Sequence, residues 1–232
     1  MKRVGHKGAD LVAPGNTVAS FEAALEHNVD MIEFDVLRLR DGQLVLAHDY
    51  EDAARRLPFA LDEGLEHFAG ESYAGVELDV DLKLPGYERE VVEGLRAHGL
   101  AERALVSSNY LDSLDEVARL APDMRRGLSV PRVRRDYTKT PLAIPAYAVA
   151  RVMRELLPFK VRPLLRAGRI HALMVHWLLV GRRLVDVVHE EGGEVYVWTV
   201  DDARRIERLR ALGVHAVITN DPRLFAGLVD PG

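Results

Sequence analysis

Met31-Ile-Glu-Phe-Asp-Val36 reads as a β-strand, and both the fold and the chemistry of the chain can be worked out from it. Side chains alternate between the two faces of a strand. Ile32, Phe34 and Val36 therefore point one way, and Glu33 and Asp35 point the other. Two like charges at neighbouring positions on one face repel each other and resist burial. A divalent cation held between them removes both costs.

The strand runs on into Val36-Leu-Arg-Leu-Arg-Asp-Gly-Gln-Leu-Val-Leu-Ala-His-Asp49. Asp-Gly flanked by alternating apolar residues is a strong short-range hairpin signal. A turn at Asp41-Gly42 returns the chain and sets His48 opposite Asp35. This strand pair is expected to project beyond the main sheet and not to count among its strands.

Outward from this segment, short apolar runs alternate with amphipathic stretches along the whole chain. That alternation predicts a parallel sheet with helical crossovers. Strands are expected at 2–6, 31–36, 76–83, 104–107, 126–130, 172–176, 194–199 and 215–219. Helices are expected at 17–28, 86–98, 111–120, 141–166, 181–191, 201–211 and 222–228. Asn16 or Thr17 caps the first helix, and Gly99, Gly192 and Gly213 stand at helix stops. Pro158 and Pro163 should break or kink the helix over 141–166. The pattern predicts an α/β fold, a TIM (β/α)8 barrel with a small β-hairpin projecting after the second strand, over one domain spanning 1–232. An open doubly wound sheet is the alternative, but no glycine-rich dinucleotide fingerprint follows the first strand.

Composition narrows the chemistry. The chain has 232 residues, of which 48% are hydrophobic, enough for a full core. With no cysteine, it cannot form a disulfide framework, a thiolate metal site or a cysteine nucleophile. The net charge of −5 argues against a nucleic-acid partner. Neither a secretory leader nor a transmembrane run is legible, so a cytoplasmic location is expected. Residues 131–139, Pro-Arg-Val-Arg-Arg-Asp-Tyr-Thr-Lys, are basic and follow the fifth strand, where they suit an anionic head group or peripheral membrane contact.

In such a barrel the active site lies at the C-terminal ends of the strands. Those ends carry His6 and Lys7, then Glu33 and Asp35, Asp81 and Lys83, Trp198 and Asp201, and Asn220. Glu33, Asp35 and Asp81 together suit one hard divalent cation, Mg²⁺ or Ca²⁺. His6 and His48 suit acid and base work near neutrality. Lys7 and Lys83 can neutralise phosphate oxygens. His176, at the end of the sixth strand, could line the same site. The set fits cleavage of a small phosphodiester.

The chain resembles the glycerophosphodiester phosphodiesterase family, whose hallmarks are H-R-G, P-E-N-T, E-x-D-V, D-G-x-x-V-x-x-H-D, E-x-K and V-W-T-V. They stand here as His6-Lys-Gly8, Pro14-Gly-Asn-Thr17, Glu33-Phe-Asp-Val36, Asp41-Gly-Gln-Leu-Val-Leu-Ala-His-Asp49, Asp81-Leu-Lys83 and Val197-Trp-Thr-Val200. The resemblance implies a TIM barrel with a divalent metal and a catalytic histidine pair. By position it implies Glu33, Asp35 and Asp81 as metal ligands and His6 and His48 as the pair. It further implies Lys83 as a phosphate-binding lysine and Trp198 at the substrate mouth. Lys7 replaces the family arginine, Gly15 replaces a glutamate and so removes a carboxylate near the metal, and Asp81 is one methylene shorter than glutamate. Asp81-x-Lys83, Asp201 and Asn220 look more like the related sphingomyelinase-D-type phospholipases. The expected reaction releases glycerol phosphate and an alcohol from a glycerophosphodiester. The alternatives are a phospholipase-D-like enzyme acting on lysophospholipid or sphingolipid head groups, and a catalytically reduced barrel that binds phosphoesters or a protein.

Overall fold

A computed structural model describes residues 1–132 and 143–227. Eight parallel strands carry the architecture: β1 (Lys2–Gly5), β2 (Met31–Arg38), β5 (Glu77–Leu82), β6 (Ala104–Ser108), β7 (Arg125–Val130), β8 (Ala172–His176), β9 (Glu194–Trp198) and β10 (Ala216–Thr219). β1 pairs with β10 on one side, with Val4 against Ile218, and with β2 on the other, with Val4 against Met31. The sheet therefore closes on itself, as the alternating pattern predicts. Helices α1 (Val18–Glu26), α4 (Glu88–Ala97), α5 (Leu111–Leu120), α6 (Ala143–Arg166), α7 (Arg182–Glu190) and α8 (Ala203–Leu212) wrap the outside.

The alternation read in β2 decides which side faces which layer. Ile32, Phe34 and Val36 are fully buried in the outer layer, packed with Phe21, Phe68, Val91 and Leu95 of the helices. Phe34 stacks on Phe68 with ring centroids 5.0 Å apart. The opposite face turns Met31 into an inner cluster with Val4, Leu105, Met174, Tyr196 and Ile218. Glu33 and Asp35 lie further along that inner face. At the N-terminal end the barrel is closed by a charge ring that the sequence reading did not find. Lys2 pairs with Glu77 at 2.5 Å, and Arg125 pairs with Glu77 at 2.8 Å and also with Glu194.

The excursion after β2 is larger than a hairpin. β3 (Leu44–Leu46) returns antiparallel to β2, and α2 (Tyr50–Arg55), β4 (Phe59–Ala60) and α3 (Leu61–Phe68) follow. The turn also differs from expectation. Gly42 N–H donates to Leu39 O at 3.0 Å and Leu39 N–H to Gln43 O at 2.8 Å, so the loop holds Arg40, Asp41 and Gly42. Gly42 closes it at φ +95°, the left-handed position of a three-residue hairpin. Val36 therefore faces Leu46. Continuing that register sets Ala47, and not His48, across from Asp35.

α1 is capped by Thr17, whose hydroxyl accepts the Ser20 N–H. Gly99, Gly192 and Gly213 are left-handed at φ +69°, +71° and +88°. α6 runs from Ala143 through Pro158 and Pro163 to Arg166 without the expected break. Each proline removes one backbone hydrogen bond, but Leu157, Val161 and Leu165 are buried against the barrel and hold the turns together. Residues 141–142 of the expected helix lie outside the described residues. Of the expected terminal helix over 222–228, the described residues form a single 3₁₀ turn, Pro222–Phe225, and residue 228 lies outside them.

Candidate active site

Glu33, Asp35 and Asp81 converge at the C-terminal mouth of the barrel. Each offers a carboxylate oxygen, and these oxygens lie within 4.8 Å of one another. The register is the cause, because Asp35 sits directly beside Asp81 across β2 and β5. Asp35 is fully buried and Glu33 is 4% exposed. Lys83 reaches back over both strands, with Nζ 2.5 Å from Asp35 Oδ1 and 2.5 Å from Asp81 Oδ2. Asp81 Oδ1 is buried with no hydrogen-bond partner. An all-carboxylate donor set with an unpartnered buried oxygen fits a hard divalent cation.

The surroundings split the two β2 carboxylates. Burial and repulsion from Asp35 push Glu33 well above the usual range. Burial would also raise Asp35, but Lys83, His48, Lys7 and His6 outweigh it and hold Asp35 well below that range. Lys83 is driven up despite its burial because Asp35, Asp81 and Glu33 surround it.

The loop after β1 delivers His6 and Lys7. His6 N–H donates to Thr219 O at 2.8 Å. Lys7 and Gly8 are both left-handed, at φ +51° and +86°. A Cβ on Gly8 would lie 2.6 Å from Ser20 O, so only glycine fits this bend. The bend aims Lys7 N–H at Glu33 Oε2, 2.8 Å away. His6 Nε2 lies 3.8 Å from the same oxygen. Burial first, and then the Lys7 ammonium, lower the His6 imidazole to about 4, so it is neutral near pH 7.

Two polar residues complete the cluster without having been singled out in the sequence as site residues. Asn16 is buried and left-handed, and it grips Asp35 twice: Nδ2 donates to Oδ2 at 2.8 Å, and Oδ1 accepts the Asp35 N–H at 3.1 Å. The sequence marks it only as a candidate cap and as the asparagine of Pro14-Gly-Asn-Thr17. Asp10 accepts the Gly15 N–H at 2.8 Å and lies 3.4 Å from Lys7 Nζ. A Cβ at Gly15 would fall 2.6 Å from Asp10 Oδ1. The space next to Gly15, where the motif has a glutamate, thus already holds a carboxylate from another position.

His48 stands at the rim, its side chain half exposed, with Nδ1 3.0 Å from Asp49 Oδ2. It does not sit opposite Asp35, but its charge is among those that hold Asp35 low. Trp198 packs edge-on to His176 with centroids 5.2 Å apart, and its Nε1 is buried without a partner. Asp201 and Asn220 are brought together beside His6. Of the basic segment 131–139, only Pro131 and Arg132 are described; 133–139 lie outside the described residues. Among the described residues no helix is long and apolar enough to cross a membrane.

Beneath the cluster Asp79 is 1% exposed and accepts the Ser107 hydroxyl at 2.7 Å. Burial, with Asp81 and Asp35 nearby, lifts it from 3.8 to about 8. The folded protein therefore keeps a proton that the unfolded chain releases, so stability falls as pH rises between these two values. Asp79→Asn keeps the Ser107 bond and removes that loss. In chelator-treated protein its Tm advantage over the parent should grow from pH 4 to pH 8. At about 1.36 kcal/mol per pKa unit the gain has a ceiling of about 4 kcal/mol near neutrality, less the cost of the new amide N–H. Thermal melts across that range check it, and a pH-independent difference would contradict it.

The glycerophosphoryl diester phosphodiesterase family model matches residues 6–63 and 69–224. The chain belongs to this family. It is therefore placed among phosphoric diester hydrolases. A glycerophosphodiester phosphodiesterase from Caldanaerobacter subterraneus is 27% identical over 99% of this chain and 98% of its own length. The crystal structure of a glycerophosphodiester phosphodiesterase from Parabacteroides distasonis superposes with a TM-score of 0.71 at 20% identity, covering 96% of this chain and 93% of that one. A phosphodiesterase from Oleispira antarctica, solved with the product sn-glycerol-3-phosphate, gives a TM-score of 0.70 at 21% identity over 96% and 94% of the two chains. These two structures share the barrel fold.

Proposed function

We propose that this phosphodiesterase hydrolyses glycerophosphodiesters to glycerol phosphate and an alcohol, with one divalent cation, Mg²⁺ or Ca²⁺, held by Glu33, Asp35 and Asp81. The observation that carries the reading is the convergence of these carboxylates with His6 Nε2, 3.8 Å from Glu33. A bound cation would supply Lewis acidity to the phosphoryl oxygens. The chain's own residues do the rest. His6, neutral near pH 7, takes a proton from the attacking water as the water oxygen bonds to phosphorus. The bond from phosphorus to the leaving oxygen breaks, and His48 at the rim returns a proton to the alkoxide. Lys83 and Lys7 offset charge on the non-bridging oxygens. The unpartnered Trp198 Nε1 offers a hydrogen bond at the mouth.

A second reading, in which a lysophospholipid is the substrate, draws on one observation. Leu11 N–H bonds to Asn220 O, which anchors an exposed apolar pair, Leu11 and Val12, next to the His6 side of the mouth. Turnover of glycerophosphocholine and lysophosphatidylcholine, compared in Mg²⁺ and in Ca²⁺, decides between the two. Faster cleavage of glycerophosphocholine is expected. Preference for the lysolipid would move the substrate class, and cleavage of neither would overturn both.

A further inference from the structure

Asp201, just past β9, and Asn220, just past β10, suggested substrate contacts by sequence. Their hydrogen bonds point elsewhere. Asp201 Oδ1 accepts the Thr219 hydroxyl at 2.9 Å and the Asn220 N–H at 2.8 Å, and Asp201 Oδ2 accepts Asn220 Nδ2 at 2.7 Å. A carboxylate only accepts, so the nitrogen of the Asn220 amide must face Asp201. Turning the amide over would set two acceptors against each other. The amide oxygen is thereby directed at His6 Nδ1, 2.5 Å away. That oxygen also only accepts, so Nδ1 must carry the hydrogen. In neutral His6 the lone pair then lies on Nε2, the atom that faces Glu33.

We propose that Asp201 and Asn220 are positioning residues that fix His6 as the Nδ1–H tautomer and leave Nε2 as its proton-accepting atom. The kinetic consequence rests on the reaction proposed above, whereas the tautomer itself does not.

The test therefore reads the tautomer and the kinetics separately. In metal-free ¹⁵N-labelled protein, with His6 neutral, two-bond ¹H–¹⁵N correlations should show His6 protonated at Nδ1. In Asn220→Leu and in Asp201→Asn the His6 signals should move toward the other tautomer, with the backbone amide spectrum otherwise unchanged. On glycerophosphocholine with Mg²⁺ or Ca²⁺, each variant should lose about 10- to 100-fold in kcat with KM nearly constant, as outer-shell positioning groups do. The exchanged pair, Asp201→Asn with Asn220→Asp, again presents an acceptor to Nδ1 and an amide donor behind it. It should restore both the tautomer and most of kcat. The proposal fails if Asn220→Leu keeps the Nδ1–H tautomer, if the exchanged pair restores nothing, or if the variants raise KM at constant kcat, which would make both residues substrate contacts. A parent protein with no turnover would overturn the proposed reaction and leave the tautomer to be read from the spectra.

Discussion

His6→Ala lowers kcat on a glycerophosphodiester by about 10²- to 10⁴-fold, the range that a positioned acid or base contributes. The reason is the state in which the fold holds this side chain. Burial and the Lys7 ammonium keep it neutral near pH 7, at about 4. Its backbone is tied to β10 through Thr219 O, and Nε2 points at the carboxylates. A neutral imidazole so placed can accept a proton, and alanine cannot. The side chain is not part of the apolar core, so the variant should fold. Steady-state kinetics with a far-ultraviolet spectrum as control check this, and a variant within a few-fold of the parent would remove His6 from the reaction.

Asp35→Asn should abolish divalent binding within the range that calorimetric titration can follow, a loss of at least about 100-fold given that even outer-shell changes cost 10- to 100-fold. Asp35 is fully buried and is held ionised, by Lys83 above all, against the pull of its own burial. The substitution keeps the shape and an acceptor for Asn16 Nδ2 but deletes the charge. Lys83 then keeps only Asp81 at close range. Removing one partner of a buried ion pair typically costs about 3–5 kcal/mol. The surviving Asp81 contact reduces that figure, so a lower Tm in chelator should accompany the lost affinity. Unchanged titration heats for Mg²⁺ and Ca²⁺ would take Asp35 out of the ligand set.

Much of this was legible in the sequence because it follows from strand periodicity. The face shared by Glu33 and Asp35, the placing of Asp81 and the closure of the barrel all follow from alternation and from the rhythm of strand and helix. α3 lies outside that rhythm: Leu61, Gly64, Leu65 and Phe68 repeat at helical spacing and are buried, but they belong to the excursion between the hairpin and β5 and not to the alternation of strand and helix. What alternation could not give is the set of contacts made through turns and barrel closure. The hairpin register shifted by one residue because Gly42 closes a three-residue loop. Asn16 reaches Asp35 only because its backbone is left-handed. Asp10 fills the space beside Gly15 by folding back on the loop that also holds Lys7. His6 and Asn220 are 214 positions apart and meet only because β1 pairs with β10. The Arg125–Glu77–Lys2 ring at the other end depends on the same closure.

The most direct test of the central claim is ³¹P NMR of glycerophosphocholine incubated with chelator-treated protein, before and after Mg²⁺ or Ca²⁺ is restored. The account predicts that the diester resonance persists in chelator, and that a glycerol phosphate monoester resonance grows once one of these ions is added. A diester that stays intact with both ions, or a monoester that forms at the same rate in chelator, would contradict it.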